Sequence, residues 1–310
     1  MKTFFKLFLI LSCFIFIYLN LKENQNLISN ILNFEIFKIL KIILFCTLSI
    51  IIYSKLILMT LRRICGLKIL NRKWNLIYFN SQFLNSIPFL GILYRAKQLN
   101  NLNLSYDKFF AVYLMITWLY LFLTLLIISL EILIFIPNYK FMSINLYYLS
   151  LICSIFVITI PYLSIKIFEF IFKKYSIKKN YISKIKSLLL IFDLTKYDRK
   201  FLRNFIIFFI FLHVLEFLIF FEVISSFKLE INFYKSYLIF VGMSLVDTIN
   251  ILPQNILISD IGYGYITKYA EEDFQLGVLT KLYLRFLIFI SSIFIAIIYN
   301  SYINISSIKS

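Results

Sequence analysis

The sequence is poor in residues that interrupt helices and in residues that carry charge. Its 310 residues include four prolines, six glycines and one histidine, and only 15% are charged. A single histidine excludes the paired-histidine zinc motif of metalloproteases, and the sequence contains neither a glycine-rich phosphate loop nor a nucleophile elbow. Soluble domains carry about a quarter charged residues, so a soluble fold is not expected.

Cysteines are also few, and they are isolated from one another. They lack the paired spacing of a zinc site or a redox motif, and three of them lie in apolar runs. We therefore expect no metal and no other cofactor, and we interpret the cysteines as packing residues. The four are Cys13, Cys46, Cys65 and Cys153.

Apolar residues dominate the chain: 61% are hydrophobic, and the mean hydropathy is +0.88. Continuous apolar runs recur at about the 20-residue length that a helix needs to cross a membrane. Continuous rather than alternating runs favour helices over a barrel. The sequence predicts an all-α polytopic integral membrane protein, a single transmembrane domain over residues 1–310 with about seven spans. These are Phe4–Leu21, Ile36–Leu61, Phe109–Ile136, Leu146–Phe172, Phe205–Phe227, Tyr237–Leu252 and Leu279–Ile303.

The N-terminal apolar stretch has two interpretations. Lys2 and Lys6 precede the stretch from Leu7 to Leu19, as in a signal peptide. No A-x-A-like cleavage site follows, and the residues before Cys13 match a lipid-attachment motif poorly. We therefore favour an uncleaved first span over a cleaved or lipidated N-terminus.

Two further apolar segments are short and contain helix breakers. Leu76–Leu93 holds Pro88 and Gly91, and Pro253–Ile266 begins with a proline and contains two glycines. Together they hold half of the prolines and half of the glycines of the chain. Broken helices at membrane depth survive beside protein or a water-filled cavity, and they mark the binding sites of transporters. We predict two re-entrant helical hairpins; two ordinary kinked spans are the alternative.

The distribution of basic residues predicts the orientation of the chain. The formal net charge is +17, but the basic residues lie between spans, so we expect no nucleic-acid partner. Lys2 and Lys6 place the N-terminus in the cytoplasm. The basic linker 173–203 is also placed there, as a helix on an anionic leaflet or a solvated connector. A further cytoplasmic cluster consists of Arg62, Arg63, Lys68, Arg72 and Lys73.

Ionisable residues inside predicted spans are rare and costly, so each requires a reason. His213 and Glu216 lie three apart on one helix face, where they form either a proton relay or a neutral hydrogen-bonded pair. Asp247 and Asn250 share a face of the next span, whose end lies one turn before Pro253, and they are predicted to face the second broken segment.

The one run of adjacent carboxylates does not indicate catalysis. It comprises Glu271, Glu272 and Asp273, in a polar turn where it is expected to cap the following helix. No other catalytic constellation is present, and we do not predict an enzyme.

The broken segments carry a family resemblance. The first segment reads Asn85-Ser-Ile-Pro88-Phe-Leu-Gly91-Ile-Leu-Tyr-Arg95 and is followed by Leu104-Ser-Tyr. The second reads Leu252-Pro-Gln-Asn255-Ile-Leu-Ile-Ser-Asp260 and is followed by Gly277 to Arg285. They resemble the signatures of the flippase-like transmembrane domain family related to the membrane domain of bacterial lysylphosphatidylglycerol synthases. The chain departs from the family where Gln254 and Leu257 replace glycines and Asp260 replaces a glutamate.

The resemblance implies two re-entrant hairpins, and in relatives the movement of aminoacylated or glycosylated lipids between leaflets. Arginine suits a phosphodiester because its planar fork binds two oxygens. Replacing Arg95 or Arg285 with alanine is therefore expected to abolish translocation and leave expression intact. The predicted pathway comprises Pro88, Gly91, Arg95, Asp247, Pro253, Asn255, Asp260 and Arg285.

The sequence thus predicts a flippase-like translocator of a phospholipid or lipid-linked glycan in the bacterial inner (plasma) membrane, acting in envelope biogenesis. Two alternatives remain open: a non-transporting partner of a polysaccharide or lipid synthase, and a membrane-embedded glycosyl or acyl transferase. The expected partners are membrane lipids or lipid-linked glycans, envelope-biosynthesis enzymes, and a second copy of the chain in a homo-oligomer.

Overall fold

The structure is a computed structural model that describes residues 36–84, 90–135, 140–141, 144–175, 197–227, 233–249, 256–270 and 273–308. These residues form nine helices and one short antiparallel strand pair, in which Lys140 pairs with Asn145. The elements are α1 Ile36–Cys65, α2 Asn71–Leu84, α3 Leu90–Asn100, α4 Tyr106–Phe135, β1 Lys140–Phe141, β2 Ile144–Asn145, α5 Leu146–Tyr175, α6 Arg199–Ser226, α7 Phe233–Ile249, α8 Ile256–Tyr269 and α9 Phe274–Ile308.

Four helices are long and apolar enough to cross a membrane: Ile36–Cys65, Tyr106–Ile134, Arg199–Ser226 and Phe274–Tyr302. They coincide with four of the predicted spans, and the protein is a helical membrane protein.

The other three predicted spans differ in what the structure shows of them. Phe4–Leu21 lies outside the described residues. In α5 the apolar segment found among the described residues is Ser150–Ile160, and α7, at 17 residues, is short for a span. Seven spans therefore remain a prediction.

The exposed side chains of α1 show how such a helix meets lipid. Phe37 and Leu44 are 85% and 64% exposed, whereas Ile42 and Cys46 are buried. A broad apolar surface of this kind is unfavourable in water, and it is what a membrane-embedded helix presents to hydrocarbon. The buried side packs against protein, so α1 has a lipid-facing stripe and a protein-facing stripe.

The described residues divide into two compact units. Unit 1 contains those of Met1–Ser49 and Val214–Phe294, and unit 2 contains those of Ile50–His213 and Ile295–Ser310. Three long helices, α1, α6 and α9, contribute residues to both.

In unit 2, α2 and α3 are two short helices that pack against each other and against longer ones. The Trp74 indole N–H of α2 donates to the carbonyl and the hydroxyl of Ser54 on α1, at 3.0 and 2.9 Å. Asn300 of α9 donates to Asn80 of α2 at 3.0 Å. With 14 and 11 residues, α2 and α3 are about 21 and 16 Å long, and each is shorter than the roughly 30 Å hydrocarbon core.

The turn between α1 and α2 needs one glycine. Gly66 has φ +62°, the left-handed conformation that ends a helix and that residues with a side chain adopt at a cost. The Arg62 side chain closes the turn by donating to the Ile69 carbonyl at 2.6 Å and to Asn71 Oδ1 at 2.7 Å.

In unit 1, α7 and α8 form an antiparallel hairpin. Gly242 faces Ile266, and further along α7 Val246 faces Gly262, so residue numbers rise in one helix as they fall in the other. The absence of side chains at the two glycines lets the helices approach closely. Residues 250–255, which join the two helices and include Pro253 and Asn255, lie outside the described residues.

Gly277 brings α9 against the backbone of α8. A Cβ at this position would lie 2.3 Å from the Tyr263 carbonyl oxygen and 2.3 Å from the Thr267 hydroxyl oxygen. Backbone cannot move aside as a flexible side chain can, so only glycine fits here. The contact fixes which residues of α9 face α8.

Gly277→Ala is expected to lower the free energy of unfolding by about 1–3 kcal/mol, the cost of overpacking. Gly242→Ala is the matched control, because its Cβ would meet side-chain atoms of Ile266 and no backbone, the nearest being Cγ2 at 2.9 Å. Both changes gain about 1 kcal/mol of helix propensity, so the difference in melting temperature in detergent measures the extra cost of the clash with backbone. Equal melting temperatures would contradict the close α8–α9 contact.

Candidate functional site

One face of α8 carries polar residues toward α9. Asp260, Tyr263 and Thr267 recur at three- and four-residue spacing, which places them on one side of the helix. On α9, Lys281 and Arg285 are four residues apart and share a face for the same reason. The Gly277 contact brings these two faces together.

Asp260 and Arg285 form a buried ion pair. Arg285 Nη1 lies 2.7 Å from Asp260 Oδ2, and Arg285 Nη2 donates to the Ser259 hydroxyl at 2.6 Å. The Asp260 side chain is 3% exposed and that of Arg285 29%. Asp260 Oδ1 is also buried, and it has no hydrogen-bond donor among the described residues. Among the described residues, one oxygen of this carboxylate is thus paired and the other is not.

A second ion pair lies beside the first. Lys281 Nζ is 2.7 and 2.6 Å from the two carboxylate oxygens of Asp247 on α7. The Tyr263 hydroxyl donates to Asp247 and accepts from Lys281 at 3.2 Å. Lys281 also lies over the Tyr263 ring, 4.4 Å from its centroid. We call Asp247, Asp260, Lys281 and Arg285 the charge network.

The charge network sums to zero, since it has two carboxylates and two cations. A third carboxylate, Glu216 of α6, interacts electrostatically with Tyr263.

Arg95 belongs to unit 2 and has a different environment. Its guanidinium lies between the rings of Tyr78 and Tyr113, 5.2 Å from each centroid. It donates to the Tyr113 hydroxyl at 2.9 Å and to the Gly91 carbonyl at 3.3 Å. Arg95 is 3% exposed, and no carboxylate of the described residues forms an ion pair with it. The result is a buried cation held by aromatic rings and neutral oxygens.

His213, also in unit 2, faces a carboxylate on another helix. Its Nε2 lies 3.6 Å from Glu131 Oε1 of α4, and the Phe209 ring stacks on the imidazole at a centroid distance of 6.1 Å. Glu216, the partner predicted from the sequence, lies three residues further along α6. The structure thus adds Glu131 as a second carboxylate near this histidine, and the proton relay stays a prediction.

The predicted pathway residues separate into three groups. Gly91 and Arg95 lie in unit 2, and Asp247, Asp260 and Arg285 come together in unit 1. The remaining three, Pro88, Pro253 and Asn255, lie outside the described residues.

Sequence reasoning missed four residues that complete these sites: Tyr113, Glu131, Tyr263 and Lys281. Lys281 had a sequence signal, because it lies one helical turn before Arg285. The carboxylate run behaves as predicted where it is described, since Asp273 Oδ1 accepts from the Gln275 backbone N–H at 3.3 Å at the start of α9. Its other two members lie outside the described residues.

None of these groups forms a metal site. Within the part of the chain that the structure describes, no three His, Cys, Asp or Glu side chains are arranged to hold an ion. Both arginine sites instead suit anionic oxygens, which a guanidinium binds through its N–H groups. Comparison with protein-family models, with curated proteins and with solved structures found no match to this chain in any of the three.

Proposed function

We propose that this protein moves the polar headgroup of a phospholipid or a lipid-linked glycan across the inner membrane of a bacterium, in envelope biogenesis. The observation that carries the proposal is the buried Asp260–Arg285 pair on α8 and α9, in which Asp260 Oδ1 has no donor among the described residues. Placing a charge at the bilayer centre costs roughly 2.5–3.5 kcal/mol. Charges retained in an apolar helical protein therefore indicate a polar pathway.

The dimensions of α8 support the same proposal. Its 14 residues extend about 21 Å, less than the hydrocarbon thickness. In the proposal, this short helix carries Asp260, packs against the long apolar helix that carries Arg285, and brings polar groups to membrane depth. A headgroup crossing the hydrocarbon needs such groups in place of water.

Contacts at one end of unit 2 support the proposed orientation. Arg63, near the end of α1, lies 3.2 Å from Asp198, which precedes α6. The basic cluster and the end of the basic linker are therefore neighbours, as expected if both lie in the cytoplasm. The N-terminus is proposed to lie on the same side, because two crossings separate it from the cluster.

The family resemblance adds support. Arg95, Asp260 and Arg285, the charged residues of the resembling segments, are buried or half-buried and are engaged with polar groups. We therefore include in the proposal the lipid translocation that the resemblance implies.

A second candidate function is a non-transporting membrane partner of a polysaccharide or lipid synthase. One observation favours it: every charged side chain of the charge network is paired within the chain. Paired charges of this kind can hold helices together without binding a ligand.

Proteoliposomes distinguish these functions. The site variant Asp260→Asn/Arg285→Gln removes one ion pair as a unit, and the matched control Lys41→Met/Glu222→Gln removes another ion pair of unit 1. The assay uses phosphatidylglycerol and phosphatidylethanolamine that carry a label on an acyl chain. Dithionite reduces the label, and it reaches only the label in the outer leaflet. We expect wild type and control to expose the inner-leaflet label, and the site variant to be slower on the order of tenfold, equivalent to about 1.4 kcal/mol.

Equal rates for the folded site variant and the wild type would contradict the proposed role of this pair. No lipid movement by the wild type, combined with co-purification with a synthase, would favour the partner function.

A further inference from the structure

The two carboxylates of the charge network differ in exposure, and each is paired with a partly exposed cation, Lys281 at 14% and Arg285 at 29%. The Asp247 side chain is 40% exposed, whereas that of Asp260 is 3% exposed. A ligand can therefore contact Asp247, Lys281 and Arg285 directly, and it reaches Asp260 by displacing the Arg285 side chain. Lys281 and Arg285, one helical turn apart, connect the two carboxylates.

The balance of charge restricts what can bind. An anion that takes Lys281 and Arg285 from their partners leaves two carboxylates without a cation. A purely cationic ligand has the opposite effect. Separating a buried pair without replacing the lost partner is strongly unfavourable. A ligand that carries both an anionic and a cationic group replaces both partners at once.

The unpaired oxygen of Asp260 restricts the ligand further. Oδ1 is buried and has no donor among the described residues, and buried acceptors are normally satisfied. A primary ammonium group supplies three N–H donors. A quaternary ammonium group has the same charge and no N–H, so it leaves Oδ1 unsatisfied.

The cations of the network suit a phosphate. The Arg285 guanidinium can bind two oxygens of one phosphodiester, and Lys281 supplies a further positive charge from the adjacent turn. Glu216 adds negative charge near Tyr263, which opposes a headgroup that is only anionic.

We infer that the charge network is a binding site for a phosphate joined to a primary ammonium group, the chemistry of a phosphoethanolamine headgroup. Lys281 and Arg285 bind the phosphate, and Asp260 and Asp247 accept from the ammonium group. This inference rests on the proposed function and specifies its substrate class. The lipid and soluble phosphoethanolamine share this chemistry, and the test separates them.

The test compares headgroups that differ in one property at a time. Thermal stabilisation of the purified full-length protein in detergent is measured with added phosphatidylethanolamine, phosphatidylcholine or phosphatidylglycerol. We expect an apparent affinity for phosphatidylethanolamine on the order of tenfold above that for phosphatidylcholine, as expected for a hydrogen bond to a charged group. Asp260→Asn should remove this preference, and the control Glu222→Gln should retain it.

Asp247→Asn is the second variant, because its more exposed site is less disruptive to folding. It should also weaken phosphatidylethanolamine binding. Equal affinity of the wild type for the ethanolamine and choline lipids, or tightest binding of phosphatidylglycerol, would overturn the inference. Competition by soluble O-phosphoethanolamine at concentrations comparable to the lipid would identify the soluble compound as the ligand of the same site.

The binding measurement tests the site and the translocation measurement tests the function, so either claim can be refuted while the other stands. Selective stabilisation by phosphatidylethanolamine without lipid movement would refute the proposed function and keep the site. Movement of phosphatidylglycerol without any preference for the ethanolamine lipid would keep the function and refute the site.

Discussion

Replacing Arg285 with alanine is expected to lower the free energy of unfolding by roughly 3–5 kcal/mol. The change removes the cation from Asp260, whose other oxygen already has no donor in the described structure. An unpaired carboxylate then remains in an almost fully buried position. Denaturation of the purified protein in detergent measures the loss.

The double variant Arg285→Ala/Asp260→Asn should recover most of this stability, because no uncompensated charge remains. The control is Arg63→Ala, since Arg63 and Asp198 form an ion pair that is about half exposed. Exposed pairs contribute at most about 1 kcal/mol. If Arg285→Ala were as mild as Arg63→Ala, the Asp260–Arg285 pair would not be buried as described.

The expected loss of stability in Arg285→Ala modifies one expectation from the sequence. Alanine at Arg285 was expected to abolish translocation and leave expression intact. The structure indicates that expression will also fall, so loss of activity in the single variant does not identify a transport role. Variants that neutralise the pair as a unit are needed for that purpose.

Replacing Arg95 is expected to reduce lipid translocation to the background of protein-free liposomes. Arg95→Ala removes a buried cation that lies between Tyr78 and Tyr113 and donates to the Tyr113 hydroxyl. Arg95→Lys retains the charge but loses the planar fork, and we expect it to slow translocation on the order of tenfold, about 1.4 kcal/mol. The dithionite assay measures both.

Lys97→Ala is the control for Arg95, because Lys97 is exposed on the same helix two residues away. It should translocate lipid at the wild-type rate. Wild-type rates for folded Arg95→Ala would remove Arg95 from the pathway. A wild-type rate for Arg95→Lys alone would show that the charge, rather than the guanidinium geometry, is required.

The spanning helices were predictable because lipid imposes a length and a composition on each of them. The predicted span Ile36–Leu61 lies within α1, and Phe205–Phe227 overlaps most of α6. The helices extend beyond the apolar runs into residues such as Arg62 and Arg199, because charged side chains at helix ends reach the headgroup region. Apolar composition alone does not mark those ends.

The pairing within unit 1 was not predictable from the sequence. Asp260 and Arg285 were both identified, but their contact depends on the register between α8 and α9. That register is set by the close approach at Gly277, which is a tertiary contact. Lys281 could have been identified from the sequence, because it lies four residues before Arg285 and therefore on the same face of the helix.

Interaction partners that lie on other helices were also not predictable from the sequence. Sequence spacing related His213 to Glu216 of the same helix, whereas the structure brings Glu131 of α4 to the imidazole. The rings beside Arg95 come from two further helices. Aromatic residues are so frequent in this chain, at 19%, that no pattern singled out Tyr78 and Tyr113.

Cysteine labelling of α2 and α3 tests most directly the claim that short hairpins enter the membrane without crossing it. Single cysteines replace Lys73, Phe83 or Lys97 in a protein whose native cysteines are changed to alanine. Lys73 and Lys97 are exposed at the outer ends of the pair, and Phe83 lies near the end of α2. We predict that a membrane-impermeant maleimide labels positions 73 and 97 from the cytoplasmic side and position 83 from neither side. Labelling of position 83 from the opposite side would contradict the account.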